Sequence, residues 1–336
     1  MKKTKAVILR QYNKNIIRAL LGLKSAETVL PGLSEEDLLI KVFAAPCNPS
    51  DIAFLQGGYN IVKPLPAIPG FEGAGIVEDT GSDKTKHLIG KKVSFFIQND
   101  SVGSWSQYTV VNKDDIILLN DKMDIKQAAC FAVNPLTAYA LVETAVKHDA
   151  KAIVQNASGG QVAAFVRKMA RENGMEVIDI VRKEESVKKL ISTGVKYVLN
   201  ENSPGFESEL KELCNKTGAT VAFDAVGGKL GGTMFNALPP NSKLVVFGGL
   251  SNKWLSDFDT MDVIFKNKVV TGFNLPMWKS NLNRREFDKI TDKLQKKFIS
   301  GDYFTEIQGE TGMDSIVRGL RDYITNMSAG KILIVP

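Results

Sequence analysis

The sequence predicts an α/β protein in two parts, a doubly wound parallel sheet and a β-rich domain. Three observations carry this. The chain has 336 residues, more than one domain usually holds. Residues 1 to about 120 are a series of short β-like runs broken by Gly, Pro, Asn and Asp. From Lys151 onward, apolar strand candidates are separated by helix-period segments, the pattern of a parallel sheet covered on both faces.

The first domain is predicted from AVILR, DLLIKVFAAP, GAGIVE, KKVSFFI and SQYTVV. The second follows from KAIVQNA, EVIDIV, KYVLN, ATVAFDAV, KLVVFGG and KVVTGFNL, the earlier of which alternate with helices. Two amphipathic segments, Arg284–Ile299 and 313–326, precede a last strand, KILIVP, and this C-terminal portion is expected to return to the first domain. The expected boundaries are 1–121 with 277–336 for the β-rich domain and 122–276 for the parallel-sheet domain. Without a flexible linker between them, the two are expected to pack closely, with a cleft at their interface.

Composition narrows the function. With 44% hydrophobic and 24% charged residues, the chain reads as an ordinary soluble globular protein. No apolar run approaches the roughly 18 residues of a membrane span. The start, MKKTKAVILRQYN, has neither an apolar signal core nor a transit helix, so a cytoplasmic location is expected. Cys47, Cys130 and Cys214 are odd in number and widely spaced, which argues for buried thiols over a disulfide framework or a zinc lobe. The net charge of +6 is spread among acids, which speaks against nucleic-acid binding and is compatible with a phosphorylated cofactor or substrate.

The stretch 152–170 reads as strand, small-residue turn and helix. Ser158, Gly159, Gly160, Gln161 and Val162 form the turn and helix start, whose backbone N–H groups can receive a diphosphate. The spacing departs from G-x-G-x-x-G, with Ser158, Gly160 and Ala163 at the three glycine positions, and a tight βα turn is the competing reading. The next strand ends at Val181, followed by Arg182 and Lys183 where an NAD-binding acid would be expected. Cations there can pair with a 2′-phosphate, which predicts NADPH; the alternative is a solvated helix entrance, and Asp179 inside the strand counts against the reading. Phe247, Gly248, Gly249 and Leu250, then Phe273 and Leu275, follow strands at the edge where open α/β sheets bind ligands, and are assigned to the nicotinamide side.

In the segment 48–77, Tyr59 lies in a Gly-Gly-Tyr-Asn turn ahead of a Pro-rich run and PGFEGAG, with no obvious metal ligands. A phenol stays protonated at neutral pH and can donate a hydrogen bond where negative charge develops, whereas the competing reading makes it an aromatic wall.

Taken together, AAPCNPSDIAFLQGGY, VNPLTAY, QNAS, IVRK, AVGGK and GFNLPMWK resemble the zinc-free branch of the medium-chain dehydrogenase/reductase superfamily over essentially the full chain. The similarity is greatest to NADPH-dependent 2-enoyl thioester reductases of mitochondrial type, next to quinone oxidoreductases. A zinc alcohol dehydrogenase would carry Gly-His-Glu where this chain has Gly70-Phe71-Glu72, and Asn48 stands at a cysteine position, so no metal is expected.

The resemblance implies a Rossmann domain and a GroES-like catalytic domain, with Tyr59 supporting protonation of the substrate or of the developing enolate. It further implies that Asn134 and Thr137 hold the nicotinamide ribose or carboxamide, with helix capping by Asn134 as the alternative. Asn48 and Trp278 are expected at the substrate, a core tryptophan being the other reading of Trp278. Lys331 is carried over as a second cofactor-phosphate contact, against a surface lysine. The expected substrate is a small molecule, an enoyl thioester or else a quinone, and the expected assembly is a homodimer. A non-enzymatic NADPH-binding protein is the reading from another class.

Overall fold

The computed structural model describes residues 2–97 and 102–336. The chain divides into two compact units, Met1–Asn134 with Leu282–Pro336, and Pro135–Asn281. In chain order the strands are β1 (Lys3–Leu9), β2 (Leu23–Val29), β3 (Asp37–Pro46), β4 (Glu72–Thr80), β5 (Lys92–Phe96), β6 (Tyr108–Asn112) and β7 (Ile116–Leu118). Then come β8 (Ala152–Gln155), β9 (Glu176–Val181), β10 (Tyr197–Asn200), β11 (Ala219–Asp224), β12 (Lys243–Val246) and β13 (Val269–Gly272), and finally β14 (Ile307–Gly312) and β15 (Lys331–Val335).

In the first unit a sheet runs β14-β15-β3-β4-β5-β7, with β6 also on β3, beside a β1-β2 hairpin. The long strand β3 organises it, because DLLIKVFAAP has enough residues to serve β6 near its start, β15 at its end and β4 along its other edge. Apolar side chains of β1, β3, β4 and β5 meet Phe54, Phe71 and Trp105 in one core. Each fully buried side chain of this size contributes about 1.5–3 kcal/mol. Only glycine fits at position 70: its φ is +93°, and a Cβ there would sit 2.4 Å from both Ser104 Oγ and Trp105 Cδ1.

β2 and β14 were not foreseen from the sequence. LKSAETV is mostly polar with only Leu23 buried, and IQGETG carries two glycines, so neither shows the apolar alternation that marks a strand. Partners selected them: β2 pairs antiparallel with β1, and β14 pairs parallel with β15.

The second unit is a six-stranded sheet of order β10-β9-β8-β11-β12-β13. All five pairings are parallel. The order reverses between β8 and β11, the switch point where doubly wound sheets bind ligands. The helix Gln161–Glu172 forms because Ala163, Phe165, Val166, Met169 and Ala170 make one buried stripe. The helix Phe206–Thr217 buries Phe206, Leu210 and Cys214 and stops at Gly218, whose φ is +66°.

Candidate cofactor face and catalytic cluster

The parallel sheet brings the expected cofactor residues of the second unit, except Thr137 on the helix Asn134–Lys147, to the C-terminal ends of its strands. β8 ends at Gln155, Ala157 takes φ +50° in the turn, and Gly160 caps the helix that begins at Gln161 and Val162. The first N–H groups of a helix have no intrahelical acceptor and so face a bound anion well. Ser158 is buried: its hydroxyl donates to Gln155 O at 3.0 Å and accepts from Ile180 N–H at 3.0 Å, so the side chain fixes the turn from within.

Asn156 and Asp224 close the switch point. Asn156 Nδ2 donates to Asp224 Oδ1 at 2.6 Å, and its Oδ1 accepts from Ala225 N–H at 2.8 Å. Beyond β12, Phe247 N–H donates to Asp224 O at 2.9 Å and Leu250 N–H to Ala225 O at 3.1 Å. Gly248 is required there, because a Cβ would lie 2.7 Å from Ala225 O; the neighbouring Gly249 faces open space. After β13, Phe273 N–H donates to Val246 O at 2.8 Å, and Leu275 opens the short helix that carries Trp278. Trp278 is half-buried, with Nε1 3.4 Å from Glu143 Oε2 and its ring 6.1 Å from Tyr139.

Arg182 and Lys183 are exposed directly after β9. Asp179 is not available as a ribose acceptor: it is fully buried, and its Oδ1 takes Gln155 Nε2 at 2.7 Å and Arg167 Nη1 at 2.8 Å. Thr137 is buried, as is Asn134 at the first turn of the helix Asn134–Lys147, where Asn134 Nδ2 has no hydrogen-bond partner within the protein.

The first unit holds a buried polar cluster that the sequence did not announce. Asn48 Nδ2 donates to Glu72 Oε2 at 2.7 Å, and Asn48 Oδ1 accepts from Lys331 Nζ. Glu72 Oε1 accepts from Val133 N–H at 2.8 Å. Asp51 accepts Asn48 N–H at 2.7 Å and Phe71 N–H at 3.1 Å on its two oxygens. These N–H bonds favour the ionised carboxylates, but burial outweighs them and pushes Asp51 up to about 7 and Glu72 up to about 7. Lys63 Nζ lies 5.4 Å from the Phe71 ring centre and 5.9 Å from that of Phe54. Tyr59 packs on the other aromatic neighbour of this group, its ring 5.3 Å from that of Phe71.

Lys331 is buried and its ammonium is bonded to Asn48, so it is not the surface lysine of the alternative reading. Asn48, expected at the substrate, uses both ends of its amide inside the cluster. A cavity of about 420 Å³ in the same unit, lined by Ile8, Arg10, Glu27, Lys63 and Pro66, contains none of the expected site residues.

A sequence pattern described as alcohol dehydrogenase GroES-like domain matches residues 34–121, and one described as zinc-binding dehydrogenase matches residues 162–296. The mitochondrial enoyl-[acyl-carrier-protein] reductase of Rattus norvegicus is 31% identical over 271 residues, 78% of this chain and 70% of that protein. The chain belongs to the medium-chain dehydrogenase/reductase superfamily, in its enoyl thioester reductase and quinone reductase branch. A candidate NADPH:quinone reductase from Mesorhizobium loti superposes with a TM-score of 0.93 at 29% identity, covering 100% of this chain and 99% of the other. A mutant 2-enoyl thioester reductase, Etr1p of Candida tropicalis, solved with NADP and crotonyl-CoA, superposes with a TM-score of 0.78 at 25% identity over 100% of both chains.

Against the zinc-binding members of the superfamily, the changed positions are occupied structurally. Asn48 links Glu72 to Lys331, and Phe71 is wholly buried between Phe54 and Tyr59. Among the described residues, no group of three or more His, Cys, Asp or Glu side chains is placed to hold a metal ion. The signal that could have exposed the cluster was local: Asp51 sits three residues after Asn48 at a helix start, the spacing at which a carboxylate reaches back to the cap.

Proposed function

We propose that this member of the superfamily is an NADPH-dependent reductase of the conjugated double bond in 2-enoyl thioesters, with no metal in the reaction. The observation that carries the cofactor assignment is the pairing of exposed Arg182 and Lys183 after β9 with an Asp179 already bound by Arg167. A 2′-phosphate meets cations there. The unpartnered Asn134 Nδ2, the open side of Gly249 and the helix start at Gln161 fit a dinucleotide carrying amide, ribose and diphosphate groups.

When bound, NADPH supplies a hydride to the β-carbon of the acceptor. The protein's part is binding, orientation and charge stabilisation. Gly160, Gln161 and Val162 receive the diphosphate; Phe247 to Leu250, Phe273 and Leu275 flank the nicotinamide; Asn134 and Thr137 hold its amide or ribose. Tyr59 donates a hydrogen bond to the thioester oxygen as negative charge develops there, and a solvent proton taken up at the α-carbon completes the reduction. Trp278 bounds the acyl group. Support for the thioester comes from relatives named enoyl reductases and from the neighbour solved with crotonyl-CoA.

The specific second reading is an NADPH:quinone reductase, favoured by the neighbour from Mesorhizobium loti. Steady-state rates with crotonyl-CoA and with a small quinone decide between them. Folded, NADPH-binding protein that turns over the quinone and not the thioester sinks the first reading, and failure with every conjugated acceptor leaves a cofactor-binding protein.

A homodimer is also proposed. β13 is the last strand of its sheet and exposes Val269 and Val270, and the helix Thr260–Phe265 exposes Met261, Ile264 and Phe265 in the same unit. Such an edge with apolar neighbours is suited to pairing with a second copy of itself. No helix is long and apolar enough to cross a membrane among the described residues. Three buried free thiols accord with a reducing compartment, and the cytoplasm is the location proposed. Fractionation of cells tests it against the mitochondria of the named relatives.

A further inference from the structure

We propose that Arg167 is the positioning residue of the cofactor turn, clamping the carbonyl of Ser158 to the carboxylate of Asp179 and so holding the loop in the shape that receives the dinucleotide diphosphate. The proposal rests on the NADPH reading above. Arg167 lies on the helix Gln161–Glu172, and its Nη1 donates both to Ser158 O at 2.9 Å and to Asp179 Oδ1 at 2.8 Å. One guanidinium nitrogen therefore joins the turn, the helix and β9.

The clamp has a second arm. Gln155 Nε2, from the last residue of β8, donates to the same Asp179 oxygen at 2.7 Å and to Ala163 O in the helix at 3.2 Å. Asp179 is thus the point where β8, β9 and the helix converge, and it has no solvent exposure with which to satisfy its charge. Burial pushes its carboxyl up from the usual carboxylate range, and the guanidinium is the first of the influences that oppose this. Ser158 completes the arrangement through its bonds to Gln155 O and Ile180 N–H, leaving the turn little freedom.

The arrangement divides the binding work between two arginines. Arg182 faces outward after β9 and serves the 2′-phosphate, which distinguishes NADPH from NADH. Arg167 faces inward and serves the diphosphate turn, which the two cofactors share. Removal of Arg167 should therefore weaken both cofactors equally, a pattern that a direct contact to the 2′-phosphate does not give.

The test is titration of NADPH and NADH by fluorescence on the folded full chain and on Arg167→Leu, Arg167→Lys and the double variant Arg167→Leu with Asp179→Asn. Arg167→Leu is expected to weaken both cofactors about tenfold and by the same factor, the size of one charge-assisted hydrogen bond. Turnover at saturating NADPH stays within about twofold, because the turn does not touch the reacting atoms. Arg167→Lys recovers most of the affinity. The double variant removes the unpaired buried charge, so it carries the test if Arg167→Leu does not fold, and it too should bind both cofactors weakly because the Ser158 tether is missing.

Unchanged affinity in Arg167→Leu, a loss confined to NADPH, or wild-type affinity in the double variant overturns the proposal while leaving the NADPH reading intact. A folded wild-type protein that binds neither cofactor sinks both together.

Discussion

Asn48 and Lys331 are bonded side chain to side chain although 283 positions separate them in the sequence. The same asparagine amide also holds Glu72, so a neutral residue links a buried cation to a buried carboxylate.

Lys331→Met should cost about 1–3 kcal/mol of unfolding free energy, because the buried Asn48 Oδ1 loses its donor and Asp51 and Glu72 lose a nearby cation. Urea denaturation measures it, and adding Glu72→Gln should recover part of the loss. A variant of undiminished stability whose only defect is weak NADPH binding would make Lys331 a cofactor-phosphate contact and not a structural cation.

The two raised carboxyls predict an unusual pH dependence. Each folds with its proton held up to about 7, whereas unfolded carboxyls titrate near 4. Their contribution to stability is therefore full below about pH 4 and is lost as pH rises to about 7, at up to about 1.4 kcal/mol per pH unit for each group. Glu72→Gln should flatten this slope relative to the native chain when urea midpoints are compared between pH 4.5 and 7.5; parallel profiles would contradict it.

Tyr59→Phe should lower the rate constant for enoyl thioester reduction at least about tenfold, the scale of one hydrogen bond to a developing oxyanion. NADPH affinity should be unchanged, and the ring should stay on Phe71, since only the hydroxyl is removed. An unaltered rate would make Tyr59 a wall of the site.

Arg182→Ala should weaken NADPH about tenfold or more and leave NADH nearly unaffected, because the lost partner is a single phosphate. Equal loss of both cofactors would remove the 2′-phosphate assignment.

Val270→Lys, which places a charge on the exposed edge of β13, should shift the protein toward monomers in analytical ultracentrifugation while preserving its fold. A native chain that sediments as a monomer at tens of micromolar would refute the homodimer itself.

The fold class was written locally. Strands such as DLLIKVFAAP and EVIDIV span β3 and β9 with the bounds that their apolar residues suggest, and the helix Arg284–Ile299 follows its amphipathic stripe. Hydrophobic periodicity is a property of neighbours in the chain, so the sequence alone carries it. The turn at Ser158 and the cations at Arg182 and Lys183 were legible for the same reason: each lies within a few residues of a recognisable strand end. The roles of Asp179, Arg167, Glu72 and Lys331 were not. A charged side chain means one thing in water and another when buried against a partner, and its partner is chosen by strand pairing between distant segments. Thus the sequence by itself determined the two kinds of sheet, the tight turn at Ser158 and the family. Only the tertiary structure decided that Asp179 belongs to Arg167 and Lys331 to Asn48, because those bonds exist only after β8 meets β9 and β15 meets β3.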